Sequence, residues 1–217
     1  MQGMLLGDIA GGGSPFSLMW TAIMKGKRHG AKNNQSLTNG ERSIVMDRQL
    51  AALNFALGME KEGKAFFERA AASSRNVSAK DAFKDLAKME EGHIKYIEEN
   101  LSSLAKDGKW TVDPKDDLDK ELMGKSVFRD RGEGKGPEPE LAIGELTTDL
   151  SAIRIAMAIE NDLHEFYMRA EKHAEDDGAK AVFGKLSEWE KGHRQMLEDQ
   201  YEDMKEGFWS EMGFSPF

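Results

Sequence analysis

Cysteine is absent from the 217 residues. That excludes disulfides, a thiol nucleophile, a Cys-held iron–sulfur cluster and any thiolate zinc site. It leaves oxygen and imidazole donors, which suit iron, manganese or zinc. Proline is also scarce, with five residues, so long helices can run unbroken. No run of about 18 apolar residues occurs, the length a membrane-spanning helix requires. The apolar stretch 4–24 is broken by Asp8, Gly11-Gly12-Gly13 and Pro15 and lacks a basic region before it, so no signal peptide and no membrane span are expected. Positive charge is in deficit: 30 Lys and Arg stand against 39 Asp and Glu, a net charge of −9. Such a field disfavours nucleic acid and anionic membranes and attracts cations. The absence of thiols and of a targeting segment leads us to expect a cytoplasmic protein.

What is present is a repeat. Residues 51–100 and 151–200 are identical at 14 of 50 positions, where chance would give roughly 3. Repeats set architecture, and this one carries chemistry: Glu60, Glu90 and His93 recur as Glu160, Glu190 and His193.

The charged, Ala- and Met-rich composition favours amphipathic helices. Apolar spacing predicts helices over about 47–74, 79–105, 148–175 and 179–206, with Ser78 as an N-cap, Thr148 near another, and Gly108 as a terminator. Asp177 and Gly178 are expected to turn the chain into the last helix. Residues 1–45 read as a flexible leader, 107–146 as a long crossover linker with a helical turn around 118–123, and 207–217 as an aromatic tail that should dock. Two helix pairs joined by a long crossover describe an all-α four-helix bundle over 46–206.

Each candidate ligand falls on an apolar stripe. Glu60 continues the row Leu50, Leu53, Leu57 and precedes Phe67. Glu160 lies between Met157 and Tyr167. Glu90 and His93 share a face with Phe83, Leu86 and Ile97, and Glu190 and His193 with Phe183, Leu186 and Leu197. Glu and His three apart differ by ~60° in azimuth and ~4.5 Å in rise, so both reach one ion. Four buried carboxylates would be costly alone. Two divalent cations would balance them, with two neutral imidazoles completing the set.

The segment from Met59-Glu60 to Phe66-Phe67 followed by Glu90-Glu91-Gly92-His93, and Ile159-Glu160 to Phe166-Tyr167 followed by Glu190-Lys191-Gly192-His193, resembles the rubrerythrin-type branch of the ferritin-like superfamily. A Glu from each of two helices and Glu-x-x-His from each of the other two is the general description of such di-iron bundles. The resemblance covers about 47–206. It implies a ferritin-like bundle in which Glu60 with His93 holds one iron, Glu160 with His193 the other, and Glu90 and Glu190 bridge. It also implies reduction of peroxide or dioxygen. In the family the aromatic residue seven after the lone Glu is typically Tyr, a hydrogen-bond donor to the bridging side; here it is Tyr167 in one half and Phe67 in the other. Rubrerythrins proper carry a further Glu where this chain has Leu163, and usually a four-Cys rubredoxin module that this chain lacks.

His164, one turn past Glu160, is either a seventh ligand or acid–base group, or an imidazole at the rim of the bundle. Trp189 and Met89, beside Glu190 and Glu90, read as packing residues. The expected partners are a separate electron donor and a second copy of the chain, as a homodimer or with a helix pair swapped. The reading from a different functional class is iron binding without turnover, as a buffer, sensor or delivery protein; Mn or Zn are the other candidate metals.

Overall fold

A computed structural model describes residues 38–113 and 143–211. They form four helices: α1 (Asn39–Ser73), α2 (Val77–Asp107), α3 (Ile143–His173) and α4 (Asp177–Glu211). The repeat is kept to the residue, since α1 and α3 end at 73 and 173 and α2 and α4 begin at 77 and 177. Both turns use the same device. Asn76 accepts from Ala79 N at 2.8 Å and Asp176 from Ala179 N at 3.1 Å, so each caps the helix that follows.

All four expected helix starts move. Asn76, not Ser78, caps α2, because Asp149 accepts from the backbone N–H groups of Arg75 and Asn76 at 3.2 and 2.9 Å and holds the turn. Ser78 instead donates to Gln200 at 2.9 Å, tying α2 to α4. Thr148 lies inside α3, and α4 opens at Asp177 behind Asp176. Helix α1 starts at Asn39, within the expected leader, where Met46 already packs on the core. Gly108 ends α2 as expected, with φ of 60° and its N–H on Leu104 O. The rest of the leader, the central part of the linker with its predicted turn, and residues 212–217 lie outside the described residues. Of the tail, Phe208 packs on the core while Trp209 is exposed.

Packing is closest within the pairs α1–α2 and α3–α4; α1–α3 and α2–α4 contacts join the pairs. Two apolar clusters fill the ends. One holds Leu53, Ile97, Leu104, Leu163, Tyr167 and Phe183. The other holds Phe67, Phe83, Leu86, Ile153, Leu197 and Met204. Helix α2 finishes in the first cluster and α3 starts in the second, so the end of α2 and the start of α3 lie at opposite ends of the bundle. The first residues after α2 are pinned: Asn100 exchanges two hydrogen bonds with Thr111, and Tyr96 donates to Val112 O at 2.6 Å. Trp110 covers Gly178, where an added Cβ would meet its ring at 2.6 Å. No described helix is long and apolar enough to cross a membrane.

Candidate metal centre

Between the two apolar clusters lies one polar layer. On α1, Glu60 falls between Ala56 of the first cluster and Phe67 of the second; on α3, Glu160 falls between Ala156 and Leu163. Helices α2 and α4 place Glu90, His93, Glu190 and His193 at the same level. All six residues have 0 % exposure.

The carboxylates divide into two kinds by position. Glu90 lies 3.4 Å from His93 Nδ1 and 3.3 Å from His193 Nδ1. Glu190 lies 3.0 and 3.5 Å from the same two atoms. Glu60 approaches His93 at 3.5 Å, and Glu160 approaches His193 at 3.6 Å. Donor atoms of Glu90, His93, Glu190 and His193 fall within 4.8 Å of one another. The layer therefore has a middle, made by Glu90 and Glu190, and two ends, Glu60 with His93 and Glu160 with His193.

These residues fit a pair of metal ions. Among the described residues, Glu60 Oε2 and both oxygens of Glu90, Glu160 and Glu190 are buried without a hydrogen-bond partner. A folded protein rarely leaves buried acceptors so, and buried charge is expensive unless compensated. Two divalent cations carry +4 against four carboxylates at −4. Without such charge the layer takes up protons instead. Burial, and next the charge of Glu90, raises the Glu60 carboxyl to about 8. Burial, and next Glu190, lifts Glu160 well above the ordinary carboxyl range.

The surroundings are not symmetric. The Tyr167 hydroxyl donates to Glu60 Oε1, an end carboxylate rather than a middle one. Burial, and next the Glu60 charge, keeps that phenol protonated. Trp189 stacks on His93 with centroids 4.7 Å apart, and His93 stacks on His193 at 4.9 Å. Sequence reading took Trp189 for packing and missed this stack; the only signal was the Trp189/Met89 mismatch beside matching glutamates. His164 turns Nδ1 to Ser187, 2.8 Å from its carbonyl and 3.0 Å from its hydroxyl. Lys64, the counterpart of His164, reaches outward to Glu91 at 3.4 Å.

The Rubrerythrin family model matches residues 51–201, a span that contains all six residues of the layer. No curated protein and no solved structure matches the chain.

Proposed function

The chain belongs to the rubrerythrin family, and on that premise we propose that it is a di-iron protein that reduces peroxide or dioxygen. The observation that carries this reading is the placing of Glu90 and Glu190, each within 3.5 Å of both imidazoles. A carboxylate between two imidazoles is positioned to serve two ions at once. In this reading Glu60 and His93 hold one ion, Glu160 and His193 hold the other, and Glu90 and Glu190 bridge them. Two ferrous ions bound there supply the two electrons with which peroxide and two protons become two waters.

The chain's own residues set the conditions. Four carboxylates offset the charge of two ions. Tyr167 fixes the orientation of Glu60 through its hydroxyl, as outer partners of metal ligands do. Phe67, Phe83 and Leu163, each at most 1 % exposed, wall the layer from bulk water and strengthen the interactions inside it. A separate electron donor belongs to this reading. A homodimer, with or without exchange of helix pairs, belongs to the same reading.

Iron binding without turnover is the second reading. The observation favouring it is Leu163, a buried apolar side chain where rubrerythrins proper carry a further carboxylate. Anaerobic loading with Fe(II), then separate pulses of peroxide and dioxygen followed by absorbance, tests both. Repeated oxidation in the presence of a reductant supports the enzyme. Oxidation once per loaded ion pair, with no turnover, supports iron binding as a buffer, sensor or delivery protein. Absence of any absorbance change overturns the di-iron reading.

A further inference from the structure

The repeat supplies an internal control, because each residue around the layer has a counterpart 100 positions away. Tyr167 and Phe67 are such a pair. Both rings are fully buried. Tyr167 stacks on Phe183 with centroids 6.4 Å apart, and Phe67 stacks on Phe83 at the same 6.4 Å. The two rings thus occupy equivalent places, and they differ by one hydroxyl. Tyr167 uses that hydroxyl on Glu60. The equivalent carboxylate, Glu160, has no hydrogen bond to either oxygen among the described residues. A second difference points the same way: His93 is held between the parallel rings of Trp189 and His193, and the counterpart of Trp189 is Met89, which has no ring.

We propose that the two metal positions are unequal by construction: Glu60 with His93 forms the tight position and Glu160 with His193 the exchangeable one. The inference rests on the two-metal reading above. Its physical basis is preorganisation. Glu60 is already turned, with Oε1 occupied by the phenol and Oε2 at 3.5 Å from His93 Nδ1. Glu160 must be ordered when the ion arrives, and that ordering subtracts from binding. Loss of an outer partner of a metal ligand typically costs about 10–100-fold in affinity. Phe67 and Tyr167 are positioning residues here; neither is assigned as a ligand.

The test is an anaerobic titration of metal-free protein with Co(II), read by its visible absorption and by calorimetry, with no turnover involved. Repulsion between two ions separates the steps in any such site, so the variants decide. Y167F is expected to weaken the first step by about 10-fold or more and leave the second in place. F67Y is expected to strengthen the second step by a similar factor. H193A should keep the tight step and lose the weak one, and H93A the reverse. Y167F deletes an atom and adds none, so it folds even where the extra hydroxyl of F67Y does not fit, and thermal melts of all four variants monitor this. Unchanged steps in Y167F, or loss of the tight step in H193A, would overturn the inequality while leaving the two-metal reading intact. Wild-type protein that binds one ion or none overturns both.

Discussion

Trp189 lies flat on His93, with its ring plane 6° from parallel. Its other contacts close the position. Tyr96 meets it edge-on at 5.4 Å, and the Lys185 ammonium sits 5.3 Å from its centroid. An indole so placed fills the wall beside the imidazole and limits ring rotation. Trp189→Ala should lower unfolding free energy by about 3 kcal/mol or more, measured by urea denaturation of metal-free protein. Trp189→Phe, which keeps a ring on His93, should lose less than half as much. Equal losses in the two variants would mean that a ring kept beside His93 contributes nothing to stability.

Stability of the metal-free protein should fall as pH rises. The folded chain holds the Glu60 proton up to about pH 8, whereas an ordinary carboxyl releases it near 4.5. Between those values the folded state binds more protons than the unfolded one, so each pH increment favours unfolding. Glu160 shifts in the same direction and adds to the effect. Melting temperatures of metal-free protein should therefore decline between pH 5 and pH 8. The Glu60→Gln variant, which cannot ionise, should show a shallower decline. A melting temperature that rises over this range would contradict a protonated, buried Glu60.

Metal should reverse that trend. Ions bind the ionised carboxylates, so they compete with protons. Uptake of Zn(II) at pH 7 should release protons and raise the melting temperature, because the ligand binds only the folded state. Calorimetry in buffers of different ionisation enthalpy measures the proton count. No proton release, with binding verified, would mean that Glu60 and Glu160 are not in the shell.

Much of this centre is legible in the sequence, and for an identifiable reason. A helix converts spacing into direction, so Glu60, Glu90, His93 and their counterparts could be placed on buried faces from periodicity alone. What periodicity does not encode is which of two local partners wins. Asn76 and Ser78 are both good caps, and the choice falls to Asp149, 73 residues beyond Asn76. Tyr167 was expected to serve the bridging side; its bond to Glu60 depends on how α3 crosses α1, which no helix stripe reports. The seating of Trp110 over Gly178 is of the same kind. It comes from a segment with no period at all, anchored by the buried amide of Asn100 and the Tyr96 hydroxyl.

Glu90→Ala and His93→Ala should separate middle from end. Glu90 stands between both imidazoles, so its removal should lower occupancy of both ions. His93→Ala should mainly lower one. Inductively coupled plasma analysis after equilibration with limiting Zn(II) gives the ratio of ions per chain. A loss confined to one ion in both variants would place Glu90 at an end of the layer and undo the bridging assignment.

The centre joins two halves that are each built by one helix pair, Glu60, Glu90 and His93 from α1–α2 and Glu160, Glu190 and His193 from α3–α4. The contacts between pairs, α1 with α3 and α2 with α4, are the same whether the pairs come from one chain or two. Covalent linkage gives the intrachain pairing an effective concentration of order mM for a tether that spans the gap. A variant lacking the first-half set (Glu60→Ala with His93→Ala), mixed as folded protein with one lacking the second-half set (Glu160→Ala with His193→Ala), should form no two-ion layer, each chain keeping only the ion of its intact end. Refolding the two together should restore two-ion layers, read from the magnetic coupling of paired Co(II), in an amount that grows with protein concentration and approaches one intact layer per two chains only near the mM range. Full recovery at micromolar concentration, with a dimer by light scattering, would instead establish that the native protein exchanges its helix pairs between copies.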